Sequence, residues 1–384
     1  MSIVTSGTVN FSDLRLVFKG VTAGSISMSE LYSNGVNASG ISGIPTSGNV
    51  ITVAHFRGKS KGPLYAFKLL TFTNAGVTGR NGPTLSQIQS AYSSTSWTQN
   101  TSYLNMTTQG IQRWTVPETR SYTFIVCGAH GAMGTGSTTG SRGGRGAFIT
   151  STFNLTHGDI LYLIVGQAGS YDTGNGGGGG ASVVYNSTTN TLLYIAGGGG
   201  GTRQNASVNG TDASIYQYGL TSSSSSANNS NTYNNTTYTY NGRTATLGYG
   251  GVEGNPSGYG DSGAGWLGDG SDDSTTSTVA VALNSTAIGG GSGQGGSGGF
   301  GGGGSGAGSN GGGGGGGYTG GNGGFIAGGG GSYTIASSTN TTISIDTLRS
   351  YDLNGSPVHG YIMIPGVILT SPSFNNGTYS TNGT

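Results

Sequence analysis

Few residues in this chain have the type and spacing for chemistry. Four histidines, His55, His130, His157 and His359, stand far apart and show no metal-ligand spacing, so they read as turn or surface histidines. Asp269, Asp272 and Asp273 lie close together and have the oxygen chemistry of a Ca2+ loop. No glutamate follows at loop spacing, so a solvated loop is expected. Gly-x-Gly-x-x-Gly matches many times, but glycine this abundant produces it without meaning, and no match opens a helix after a strand. Ser141-Arg142-Gly143-Gly144-Arg145-Gly146 has the look of an RNA-binding Arg-Gly box. Two arginines are too few for that, and a hairpin turn is expected. The single cysteine, Cys127, excludes an intrachain disulfide and sits in an apolar strand-like stretch, as a small buried hydrophobe would. No catalytic group, metal or cofactor is expected, and the chain reads as a non-enzyme.

Binding chemistry is better represented. Tyr216, Tyr218, Tyr233, Tyr238 and Tyr240 are interleaved with Ser, Asn and Thr between residues 201 and 248, and a second irregular insertion runs from Trp266 to Ile288. Antibody loops have this composition: tyrosine supplies rigid contact area, and Ser or Asn supplies adaptable hydrogen bonds. The insertions are expected to touch a cell-surface glycan or protein, with those five tyrosines and Trp266 as candidate contacts. The alternative is a solvated loop with locally packed tyrosines. Phe56, Arg57, Lys59 and Lys61 form a basic, turn-rich stretch that is either a partner contact or a solvated linker.

Glycine runs must position these insertions. They occur at residues 176–180, 197–201, 289–317 and 328–331. Such runs are either flexible tethers or polyproline-II-like rods packed side by side, where the missing Cβ lets backbones touch. Their flanks favour rods, because apolar strand-like segments abut them: 181–185, 192–196 and 332–335. As one rod, residues 289–317 would span about 90 Å at ~3.1 Å per residue. A compact body of this size is only roughly 45 Å across. The run must therefore fold back, with Ser305, Asn310 and Tyr318-Thr319 as candidate turn or edge positions.

Composition agrees with an ordered, weakly charged protein. Only 7% of residues are charged and the net charge is +1, which argues against nucleic-acid or acidic-membrane partners. Eight prolines against 82 glycines exclude collagen. The start, Met1-Ser2-Ile3-Val4, lacks a leader's basic and apolar regions, and no stretch reaches the ~18 apolar residues of a membrane span.

Period-two strands are expected at 121–126, 146–153, 159–165 and 359–364, with 159–165 central. Residues 69–76 read as a strand running into a turn, and Thr84 caps a helix from Leu85 to about Tyr92 with Leu85, Ile88 and Tyr92 on one stripe. Trp97 and Tyr103 are expected to pack under loops. Short strands with Gly and Asn turns give an all-β sandwich into which the glycine runs are inserted. The domains read as an N-terminal module 1–62, a connecting segment 63–110, a glycine-rich head 111–369 and a polar tail 370–384.

Two resemblances extend this. The ordered motifs Trp114-Thr115-Val116-Pro117, Tyr122-Thr123-Phe124, Cys127-Gly128-Ala129-His130-Gly131, Gly143-Gly144-Arg145-Gly146-Ala147 and Val165-Gly166-Gln167-Ala168-Gly169, followed by the glycine runs, resemble the glycine-rich domain of the anaplastic lymphoma kinase and leukocyte receptor kinase ectodomains. That likeness implies a tumour-necrosis-factor-like jelly roll carrying a polyglycine-II helix bundle. The receptor cysteines are lacking here, so their disulfides do not carry over. The pattern Ser6-Gly7-Thr8-Val9-Asn10-Phe11-Ser12-Asp13-Leu14, with Ile26-Ser27-Met28-Ser29-Glu30-Leu31-Tyr32 and Phe56-Arg57-Gly58-Lys59-Ser60, resembles an N-terminal module of virion proteins from marine phages and large algal viruses. It implies particle attachment through 1–62 and, with it, Phe56, Arg57, Lys59 and Lys61. The expectation is a viral structural protein, a fibre, spike or minor capsid-associated protein on the virion surface. It would display the head for host attachment and assemble as a homo-oligomer, a trimer being the form considered. A cellular matrix or adhesive protein is the alternative.

Overall fold

The computed structural model describes residues 31, 44, 55, 64–65, 67, 69–137, 142–170, 174–220, 232–234, 237–240, 243–252, 260–272, 277–291, 295–306, 311–347 and 358–366. The expected attachment residues Phe56, Arg57, Lys59 and Lys61, nearly all of module 1–62, and the tail 370–384 lie outside them.

The fold is almost all β. One sheet holds β1 (Leu69–Phe72), β14 (Tyr361–Pro365), β4 (Arg120–Cys127), β5 (Ala147–Leu155) and β13 (Thr339–Ile345), in that spatial order. The other holds β12 (Tyr333–Thr334), β8 (Thr191–Ala196), β7 (Ser182–Asn186), β6 (Ile160–Ile164), β3 (Ile111–Thr115) and β2 (Leu104–Asn105). All pairings in both sheets are antiparallel. Alternation fixes the register: Tyr122, Phe124 and Val126 of β4 face Trp114, Leu161, Leu163 and Tyr194 of the other sheet across one shared core. The apolar stretch 159–165 is indeed interior, as β6 between β7 and β3. Strand β14 inserts between β1 and β4, so the segment expected as a connector supplies β1 as a sheet edge.

Helix α1 (Leu85–Ala91) begins at Thr84. The Thr84 side chain accepts from the Gln87 amide while the Gln87 side chain accepts from the Thr84 amide, and Ile88 is buried. A short 3-10 turn, Ser96–Gln99, buries Trp97. Tyr65 stacks on Trp97 at 4.2 Å and lies 4.8 Å from Tyr103. Its hydroxyl receives the Trp114 indole N–H and donates to the Thr115 carbonyl, both at 2.5 Å.

The glycine runs grow out of one end of the two sheets. β4, β6 and β8 run into Gly128, Gly166 and Gly197, while β5 and β7 follow Gly146 and Gly180–Ala181. Their backbone hydrogen bonds repeat every third residue. Gly176 and Gly179 donate to Thr202 and Gly199, Gly177 and Gly180 to Ser170 and Gln167, and Gly178 and Ala181 to Gly304 and Gly301. Six successive N–H groups thus point cyclically at three neighbours. The run 312–318 does the same from the middle of the bundle. Gly313 and Gly316 donate to Gly176 and Gly179, Gly314 and Gly317 to Asp261 and Ala264, and Gly315 and Tyr318 to Gly328 and Gly331. Each backbone therefore needs neighbours on several sides at main-chain distance. A Cβ built on Gly178 would lie 2.0 Å from the Gly314 oxygen, and one on Gly198 2.1 Å from that of Gly179. Where they are described, these runs are packed backbone, not tether.

The long run does fold back, but elsewhere than at Ser305. Among the described residues it turns at Phe300-Gly301-Gly302, where Gly301 (φ +98°) and Gly302 (φ +79°) take left-handed conformations open to glycine. Ser305 is buried, and its hydroxyl donates to the Asp261 carboxylate. The chain bends again at 317–319, as expected; Asn310 lies outside the described residues.

Candidate binding groove

The outer face of the six-stranded sheet carries a cleft of about 580 Å³. Strand register builds its floor: Arg113 of β3 pairs with Tyr162 of β6, Tyr162 with Tyr185 of β7, and Tyr185 with Leu192 of β8. Directly paired residues share a face, so the four form one cross-strand row. Ile111, Ile164, Val183 and Leu283 continue the apolar floor. That row explains why β7 and β8 read as nearly unbroken apolar runs: core covers one face, and a second cluster of Ile164, Val183, Ile195, Leu283, Ala287 and Phe300 covers the other.

Trp266 supplies a wall. Its N–H donates to the Tyr318 carbonyl at 2.9 Å and its carbonyl accepts from Asn284 at 3.1 Å, which ties the insertion to the glycine bundle. Its ring lies 5.5 Å from Tyr185, and Tyr185 lies 6.2 Å from Tyr162. The Tyr185 hydroxyl donates to the Asn190 side chain. Asn284 and Ser285 complete the rim. The Arg113 guanidinium has no acidic partner among the described residues.

Of the tyrosine candidates, neither Tyr216 nor Tyr218 lines this cleft. Tyr216 and Tyr218 stack on each other at 5.3 Å elsewhere, with Tyr216 58 % exposed. Tyr233, Tyr238 and Tyr240, of which the backbone alone is described, fall in a separate antiparallel sheet of β9 (Thr232–Asn234), β10 (Thr237–Tyr240) and β11 (Arg243–Thr246). Of the candidates whose side chains are described, Trp266 alone joins the cleft. Arg113, Tyr162 and Tyr185 escaped the sequence reading, although each sits on the outward phase of an alternating strand.

The other singled-out groups have structural partners. Arg142 and Arg145 converge on Asp212: Arg142 Nη1 is 2.9 Å from Oδ1, and Arg145 Nη2 is 2.7 Å from Oδ2. The Arg-Gly stretch is thereby clamped to the tyrosine-rich insertion. Burial pushes the Asp212 carboxyl up, but donors from Arg145 and Arg142 outweigh it and hold the group below the ordinary carboxylate range. A depressed folded pKa contributes stability above the unfolded value of about 4, lost as pH falls through the folded one. Because Asp212 is 24 % exposed, Asp212→Asn is expected to cost only about 1 kcal/mol at pH 7. Unfolding free energies measured against pH should show that gap closing below about pH 3–4; a gap constant down to pH 2 would contradict the assignment.

His130 corrects the surface expectation. It is fully buried, with Nε2 3.5 Å from Asp346 Oδ2, because its strand has by then entered the glycine bundle. His359 Nδ1 accepts the Ala168 N–H at 3.1 Å. Asp269 accepts from the Ala282 amide and Asp272 from the Ser277 hydroxyl; Asp273 lies outside the described residues. Among the described residues no group of three or more His, Cys, Asp or Glu side chains could hold a metal ion. Nor does any described helix have the length and apolarity to cross a membrane.

No protein-family profile matches the chain. Over 98 residues it is 34% identical to the leukocyte tyrosine kinase receptor of Mus musculus, a stretch covering 26% of this chain and 11% of the receptor. The chain thus spans about a tenth of that protein, and the likeness is partial.

Proposed function

We propose that this chain is a non-enzymatic structural protein of a virus particle, in which a glycine-scaffolded head is displayed for attachment to a host cell. One observation carries the reading: buried glycine runs whose N–H groups cycle among three neighbours. Such a lattice spends glycine on rigidity and leaves the loops around it free to vary, as a display head requires. We read the runs as polyglycine-II helices, since a three-residue turn without internal hydrogen bonds gives that cycle, and the two antiparallel sheets as a jelly roll. The partial likeness to the mouse receptor supports the jelly-roll reading and keeps a cellular adhesive or matrix protein as the alternative. The virion setting rests on the resemblance of residues 1–62, which would dock on other virion proteins through Phe56, Arg57, Lys59 and Lys61. A closed trimer is the assembly this role favours.

Deleting residues 1–62 is expected to abolish association with purified particles while the head keeps its melting transition. Retention of the truncated chain on particles would contradict the attachment role.

A further inference from the structure

We propose that the outer-sheet groove binds a carboxylated sugar, with Arg113 taking the carboxylate and the aromatic side chains taking the pyranose face. The inference rests on the display reading above and gives its contact surface a chemistry.

Three observations lead there. First, the cleft, at about 580 Å³, lies within the ~300–1,000 Å³ of small-ligand sites. Second, Tyr162, Tyr185 and Trp266 line it at ring separations of 6.2 and 5.5 Å, tilted 43° and 45° to their neighbours. Tilted rings leave parts of their faces open to the cleft, and a pyranose presents a patch of C–H groups that packs on such a face. Strand pairing sets two of the rings and main-chain bonds at both ends set Trp266, so little ordering entropy remains to be lost on binding. Third, Arg113 is half-buried at the end of the same row, with no carboxylate facing it among the described residues. Thr107, Thr108, Asn190, Asn284 and Ser285, which also line the groove, are neutral hydrogen-bonders suited to hydroxyls.

A guanidinium fork matches a carboxylate in a bidentate way, and burial strengthens the pair. A bound neutral sugar would leave that cation without a counter-charge, so the site should discriminate between the two. A nucleic acid is disfavoured because one cation cannot neutralise a phosphate backbone.

The test uses the full chain and three probes at matched concentration: sialyllactose, a glucuronate-containing disaccharide, and lactose as the neutral comparison. Binding is read by calorimetry and by saturation-transfer NMR. At least one carboxylated probe should bind, and bind at least tenfold tighter than lactose. Which of the two binds identifies the sugar class. Arg113→Gln should erase the preference, bringing the carboxylated probe within about threefold of lactose, as expected for a lost charge-assisted pair. Trp266→Phe, which keeps the apolar wall, should weaken every sugar that binds by several-fold. Circular dichroism and melting should show both variants folded. Absence of binding by either acidic sugar, equal binding of lactose, or an unchanged preference in Arg113→Gln would overturn the proposal. These results do not depend on particle association, so failure here is separable from failure of the attachment role.

Discussion

Replacing Gly315 by alanine is expected to cost about 4 kcal/mol, at the diagnostic end of single-substitution effects. The backbone there does not take a left-handed φ, so alanine is conformationally acceptable and only the new methyl group matters. That carbon would lie 2.1 Å from the Gly198 oxygen and 2.7 Å from its carbonyl carbon. Neither is the mobile end of a side chain. The Gly198 oxygen accepts from Gly330, and Gly315 itself donates to Gly328 and accepts from Gly321. Relief of about 1 Å must therefore break bonds to two or three further runs. Ordinary overpacking costs about 1–3 kcal/mol because side chains yield; here they cannot. Gly158→Ala is the control: no atom lies within 4 Å of its built Cβ and only its φ of +86° resists, so about 1 kcal/mol is expected. Urea unfolding of the three proteins checks this, and Gly315→Ala matching the wild type would refute the close packing.

Phe300→Ala should be nearly as damaging, at about 3–5 kcal/mol. Phe300 is the one large side chain in the long glycine run and is fully buried at its turn. Its N–H donates to Gly79 and its carbonyl accepts from Gln167, fixing the turn between the 79–82 loop and the strand ends. The ring fills space left by two further glycines: a Cβ on Gly110 would lie 2.2 Å from Cζ, and one on Gly82 3.0 Å from Cδ1. A double-mutant cycle isolates this contact. Gly110→Ala should cost more beside Phe300 than in the Phe300→Ala background, where the ring clash is gone and its φ of +85° remains unfavourable. Additive costs would mean that the ring does not seat against Gly110.

The strands were legible because each buries alternate residues against one core, and period two survives in 121–126 and 146–153 without knowledge of partners. Thr84 and Gln87 announced the helix by local capping. That the glycine runs are ordered followed from their apolar flanks. Their turn did not, since every glycine can adopt positive φ and a glycine tract carries no local signal; Phe300, the lone anchor, was the overlooked cue. The groove was hidden for another reason. Arg113, Tyr162 and Tyr185 are scattered along the chain and become neighbours only through sheet register, and Trp266 arrives from an insertion. His130 looked like a turn residue because the glycines around it resemble a loop when their packing partners are unknown.

Amide hydrogen exchange across residues 176–180, 197–201 and 311–317 tests the central claim most directly. Buried N–H groups bonded to three neighbouring backbones should exchange as slowly as those of β4 and β5, by opening only with the whole head. Exchange of these glycines within seconds, at the rate of an unstructured chain, would show that the runs are tethers and that the head has no scaffold.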